Sequence, residues 1–123
     1  MSHSVAGCLF CKMVQGTVQV HKVYENDSFI AIRDIHPQAK CHLLVIPKSH
    51  VASLAEAFPN QGESQVTLIG QLLQTAAHVA RQEGLVPSGF RTVINTEKDA
   101  GQTVFHLHVH VLGGEALKAG FGR

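Results

Sequence analysis

The 123-residue chain has no tryptophan, one tyrosine and an aromatic content of only 6%, so aliphatic side chains must build its core. Charge is also sparse, at 15%, with ten Lys and Arg set against nine Asp and Glu. No basic run or stripe is present, which excludes the electrostatic footprint of a dedicated nucleic-acid binder. No apolar stretch approaches the length needed to cross a bilayer, so no membrane role is expected. The opening residues, Met1 to Gly7, lack the basic and apolar regions of an export signal. Cysteine is limited to Cys8, Cys11 and Cys41, an odd number that argues against a disulfide framework. Together these absences predict a reducing, cytoplasmic setting. The hydrophobic fraction, 45%, is too high for a disordered chain and suffices for one core. We therefore expect a single domain over residues 1–123, with 115–123 a flexible tail after Gly113 and Gly114.

What the sequence has in excess is histidine, nine in all. This side chain changes charge nearest neutral pH and is the commonest metal ligand. Its placement follows from the element pattern. Val18 to Val23 and Ser28 to Asp34 read as a hairpin around a turn at Asn26 and Asp27. His42 to Ile46 is a continuous apolar run stopped by Pro47, as in a buried central strand. Ser53-Leu-Ala-Glu56 fits a capping box and predicts a short helix ending before Pro59. From Ser64 to Glu83, Val66, Ile69, Leu72, Leu73, Ala76, Val79 and Ala80 recur at helical spacing, and Gly84 supplies a stop. Phe90 to Asn95 and Val104 to Leu112 read as the last strands, joined through a turn at Lys98 to Gly101. The strand connections before the long helix are too short for parallel crossovers. The expected class is α+β: a mostly antiparallel five-stranded sheet with one long and one short helix.

Phe105 to Leu112 alternates strictly between polar and apolar residues. In a strand, Leu107, Val109 and Val111 then face one side, and His106, His108 and His110 face the other about 7 Å apart. A solvated face would show the same alternation, but the flanking residues favour a site. Gly101, Gln102 and Thr103 bring a glycine turn, a carboxamide and a hydroxyl, the donors an anionic oxygen needs, and Asn95 adds another. A neutral imidazole has an attacking nitrogen available at pH 7, which suits displacement at phosphorus. On physics alone, three histidines could instead ligate a hydrolytic metal, although no partner carboxylate accompanies them as a base. Cys8-x-x-Cys11 leaves three readings open. A redox pair lacks its βαβ context, two idle cysteines are possible, and a zinc site would need histidines to complete four ligands.

The segment Gly101-Gln-Thr-Val-Phe-His-Leu-His-Val-His-Val-Leu-Gly-Gly114 resembles the signature of the histidine-triad (HIT) family, in its Hint-like branch of purine nucleoside phosphoramidases. Cys8-Leu-Phe-Cys-Lys12, Arg33-Asp-Ile-His-Pro-Gln-Ala39 and His42-Leu-Leu-Val-Ile-Pro-Lys-Ser-His50 follow the same family's order and spacing. The resemblance implies His108 as the nucleophile, His110 and His42 as its partners, and Gln102, Thr103, Gly101 and Asn95 as phosphate or leaving-group contacts. It implies Asp34 as the ribose carboxylate, with Leu9, Phe10, Ile32, Ile35 and Leu44 as base-pocket candidates; singly, each of these five is more often ordinary core. It further implies a zinc-binding bacterial type, with Cys8, Cys11, His50 and His106 as ligands.

The implied activity is hydrolysis of purine nucleoside phosphoramidates by a homodimer, with no organic cofactor. Dinucleoside polyphosphate hydrolysis, or nucleotide-binding regulation with incidental catalysis, are the alternatives. The short tail from Glu115 departs from members with a longer, Trp-bearing C terminus, which leaves substrate preference open. His3, His21, His36 and His78 are expected to be ordinary surface residues, and Cys41 a small buried one.

Overall fold

The computed structural model describes residues 4–58 and 63–120. In chain order the elements are α1 (Leu9–Gln15), β1 (Lys22–Glu25), β2 (Phe29–Arg33), β3 (Cys41–Pro47), α2 (Glu63–Gln82), β4 (Phe90–Val93) and β5 (Val109–Gly113), with a single 3-10 turn at Lys98–Ala100. The strands form one sheet in the order β1-β2-β3-β5-β4, and every neighbouring pair is antiparallel. This is the α+β architecture expected from the pattern.

β3 is central, and all seven of its residues are buried. Its continuous apolar run suits a strand covered on both faces. The period of two divides the sheet cleanly. Phe29, Ala31, Leu43, Val45, Val109 and Val111 face α2 and pack with its Leu72, Ala76, Val79 and Ala80. Ile30, Ile32, Leu44 and Ile46 face the opposite side, where Phe10 of α1 covers them. The long helix thus occupies one face and leaves the other for α1 and the histidines. Gly84 ends α2 as expected, with φ at 76°. Leu85 N–H bonds back to the Ala80 carbonyl at 2.9 Å.

Three local expectations are corrected. The capping box at Ser53 forms only one turn: Ser53 Oγ accepts from Glu56 N–H at 3.2 Å, and no helix follows. The short helix is α1 instead. It is capped by the Cys8 thiol, which accepts from Cys11 N–H at 3.4 Å, and by left-handed Gly16. Seven residues are too few for periodicity to announce such a helix. The first strand begins at Lys22 rather than Val18.

The third correction concerns the histidine strand, which begins at Val109 and not Val104. β3 pairs with β5 only as far as Val45 opposite Val109. Beyond that point Leu107 N–H bonds to the Val51 carbonyl at 2.6 Å, so the chain leaves the ladder while Leu107 stays in the α2-facing core. Among the described residues, no helix is long and apolar enough to cross a membrane.

Leu72 is fully buried where α2 meets the sheet. Leu72→Ala should cost about 2–5 kcal/mol in urea unfolding. A loss below about 1 kcal/mol would contradict a tightly packed helix–sheet core.

Candidate functional site

On the sheet face opposite α2 lies a cleft of about 780 Å³. Its walls are apolar: Leu9, Phe10 and Met13 from α1, Val20 before β1, and Ile32, Ile35, Leu44 and Val104. Asp34, Thr103, His108 and His110 bring polar groups to the same space. An apolar slot with a few convergent polar groups is the usual form of a small-molecule site. Ile35 is 85% exposed at its edge, an unusual position for an aliphatic side chain with no role in the core.

The ring nitrogens of the cleft histidines are assigned by their partners. His108 Nδ1 lies 2.8 Å from the His106 carbonyl oxygen. A carbonyl only accepts, so Nδ1 carries the hydrogen, and Nε2 across the ring keeps a free lone pair. A second chain of bonds fixes His42 and His110. The Gln38 backbone N–H donates to His42 Nδ1 at 3.0 Å. His42 Nε2 must then hold the hydrogen, which it donates to His110 Nδ1 at 2.9 Å. His110 in turn presents Nε2–H. The two cleft-lining histidines are therefore opposites: His108 offers a lone pair and His110 offers a donor.

Asp34, at the end of β2, holds its backbone neighbourhood with one oxygen. Its Oδ1 accepts from His36 N–H at 2.8 Å, and its Oδ2 is 3.4 Å from His42 Nε2.

Burial keeps these imidazoles neutral. It lowers the pKa of His42 and His108 against the opposing pull of the Asp34 carboxylate. His110 is brought down to about 4, first by burial and then by the neighbouring His108 and His42. A lone pair on His108 and a neutral donor on His110 thus coexist at neutral pH.

Next to the cleft, Cys8, Cys11, His50 and His106 converge. Tetrahedral zinc, with bonds of about 2.3 Å to sulfur and about 2.0–2.1 Å to nitrogen, sets those ligand atoms about 3.6 Å apart. Here Cys8 Sγ to His106 Nδ1 is 3.4 Å, Cys11 Sγ to His50 Nδ1 is 3.3 Å and Cys11 Sγ to His106 Nδ1 is 3.6 Å. His106 Nε2–H donates to the Pro47 carbonyl at 2.8 Å, which turns the Nδ1 lone pair toward the cluster. Such a second partner is what a ligating histidine requires. The donor set fits a metal. Asp34, His42 and His110 also lie within ligand range of one another. There, however, the Gln38 N–H holds the His42 hydrogen on the nitrogen that would have to ligate.

Of the residues anticipated from sequence, the structure brings Leu9, Phe10, Ile32, Asp34, Ile35, Leu44, Thr103, His108 and His110 to the cleft. His42 does not line the cleft; it lies behind His110, bonded to its Nδ1. Gln102 is turned inward: its amide donates to the Ala52 and Val104 carbonyls at 2.8 and 3.1 Å and accepts from Glu97 N–H at 2.8 Å. The last bond braces Glu97, which holds a positive φ of 68°. Asn95 and Gly101 do not line the cleft.

His21 and His36, expected to be ordinary surface, do line it, together with Met13, Gln19, Val20, Arg33 and Val104. Asp34, which the resemblance singled out, stands between Arg33 and Ile35, and nearness to it was the available signal for His36. His78 is exposed beside Tyr24, and Cys41 is buried, as expected. His3 lies outside the described residues.

Comparison with known proteins places this geometry. A family model described as the HIT domain matches residues 15–117. The chain is 34% identical over 109 residues to the purine nucleoside phosphoramidase of Escherichia coli strain K12, covering 89% of this chain and 88% of that protein. A HIT family hydrolase from Legionella pneumophila Philadelphia 1 superposes with a TM-score of 0.84 at 39% identity, over 91% of this chain and 96% of that one. A zinc-bound histidine triad family protein from Mycobacterium smegmatis gives 0.70 at 35% identity, over 87% and 74%.

The lowered His110 pKa has a sign that can be checked. Between pH 6.5 and about 4 the unfolded chain takes up a proton that folded His110 refuses, so stability falls as pH drops through this window. His110→Asn removes that uptake. Its melting temperature relative to wild type should rise steadily as pH falls from 6.5 to 4, and a pH-independent difference would contradict the neutral, buried imidazole.

Proposed function

The chain belongs to the HIT domain family, and on that premise we propose that it is a hydrolase of purine nucleoside phosphoramidates that works through a nucleotidyl-histidine intermediate. The observation that carries this reading is the 2.8 Å bond from His108 Nδ1–H to the His106 carbonyl. It leaves the Nε2 lone pair free on a ring that lines a nucleotide-sized cleft.

In this reading the purine lies between the apolar walls of Leu9, Phe10, Ile32, Ile35 and Leu44, and the Asp34 carboxylate accepts from the ribose hydroxyls. The phosphate meets His110 Nε2–H and the Thr103 hydroxyl, the polar donors that line the cleft beside His108. His108 Nε2 forms a bond to phosphorus as the bond to the leaving amine breaks; the leaving nitrogen takes a proton from solvent, and the water that attacks in the next step returns one. Water then attacks the same phosphorus, releases His108 with its electron pair, and yields the nucleoside monophosphate. Gln102 serves from beneath, holding the loop that presents Thr103. Cys8, Cys11, His50 and His106 would hold a structural zinc that ties α1 to the sheet. Thiols in that role require a reducing compartment, which supports a cytoplasmic setting.

We also propose a homodimer. Val66 and Leu73, seven residues apart on α2, are 58% and 45% exposed, and among the described residues the outer edge of β4 has no strand partner. A twofold partner would cover both.

His108→Ala should lower kcat for an adenosine phosphoramidate on the order of a thousandfold or more while retaining AMP binding. Unchanged turnover would reject the nucleophile, and faster cleavage of a dinucleoside tetraphosphate than of the phosphoramidate would reject the substrate class. For the dimer, Leu73→Arg should convert the sedimentation mass from two chains to one. A wild-type chain that sediments as a monomer at micromolar concentration would sink that part.

A further inference from the structure

His106 belongs to two networks at once. Its ring joins Cys8, Cys11 and His50, while its backbone carbonyl accepts the hydrogen that fixes His108. α1 is shared in the same way. Cys8 caps its first turn, and the next residues, Leu9 and Phe10, with Met13 one turn on, form the cleft wall. The Phe10 ring stands edge-on to both His106, at 5.9 Å, and His108, at 5.0 Å. A seven-residue helix has little stability of its own in water and must be held by what it packs against.

We propose that Cys8, Cys11, His50 and His106 are positioning residues for the cleft: with zinc bound, they fix the α1 wall that receives the base and the His106 carbonyl that sets the His108 tautomer. This rests on the cleft being a nucleotide site, as proposed above. It goes further than a role in holding the fold, because it couples the cluster to ligand affinity and to the protonation pattern of a residue that is not itself a ligand. The coupling runs along short paths. From the His106 ring to the His108 ring there is one residue's backbone and one 2.8 Å hydrogen bond. From Cys8 to the base wall there is a single peptide bond to Leu9.

The experiment compares protein holding one zinc per chain by elemental analysis with protein stripped by a chelator, both shown to be folded by circular dichroism. Two quantities are read, neither needing turnover: AMP affinity by calorimetry, and the His108 tautomer by long-range ¹⁵N–¹H NMR, assigned with His108→Ala. The expected result is that stripping mixes the His108 tautomers and weakens AMP binding about tenfold or more, and that added zinc restores both. Folded, stripped protein with wild-type affinity and an unmixed Nδ1–H tautomer would overturn the proposal.

If stripping unfolds the chain, Cys8→Ser replaces it. Serine still caps a helix, so the loss is confined to one of the two metal bonds at α1, with Cys11 keeping the other. Faster amide exchange across α1 with weaker AMP binding supports the coupling, and wild-type values for both overturn it. A protein that binds AMP but leaves phosphoramidates intact would fail the functional reading alone. One that does not bind AMP at all would fail that reading too, while the tautomer and the α1 exchange would still decide this one.

Discussion

One hydrogen bond underlies the chemistry of this protein: His108 Nδ1–H to the carbonyl of His106, 2.8 Å away. An imidazole cannot attack through a nitrogen that carries hydrogen, and a free histidine distributes its hydrogen between both nitrogens. Committing the hydrogen to a carbonyl two residues back removes that choice. The carbonyl is available because the chain has left the β-ladder at that point. In a regular strand through residues 104–112, the His106 carbonyl would be subject to the demands of ladder pairing. The departure from strand geometry before Val109 is therefore part of how the His108 Nε2 lone pair is left free.

The second relay has the opposite result by the same logic. Gln38 N–H sets His42, and His42 sets His110, so His108 and His110, two residues apart, present unlike groups. Neither outcome needs an ionised residue. Burial keeps the rings neutral, and the backbone chooses which nitrogen is which. The fold makes room for this by placing α2 entirely on one sheet face. The other face is then free to carry a short helix, the cysteine–histidine cluster and the cleft side by side.

Much of this was legible in the chain. β3 announced itself as central because a continuous apolar run ended by Pro47 has few other uses. α2 did so because twenty residues give periodicity room to show, and Gly84 marks its end. Leu107, Val109 and Val111 were separable from the histidines by alternation alone, even though half of that segment is not strand. The motif resemblance picked out Asp34, Thr103, His108 and His110, all of which meet in the cleft. What was missed shares a cause. α1 is too short for periodicity, and His21, His36, Gln19 and Val20 reach the cleft only because β1 and β2 fold across from α1.

Residue type and spacing determined which groups are chemically able to act: imidazoles in alternation, a Cys-x-x-Cys pair, a carboxylate beside an aliphatic stretch. They also set the two-faced sheet, since side-chain direction in a strand depends only on parity. The tertiary structure decided which imidazole does what. His106 was the first of three equivalent-looking histidines, yet its ring turns to the cysteines and its carbonyl to His108. Gln102 looked like a phosphate contact, yet its amide is spent on three backbone partners. The His106 ring finds Cys8 and Cys11, and the Gln102 amide finds Ala52, across tens of residues of chain, while the nearer bonds form only because the chain turns out of the ladder there; no local pattern encodes either.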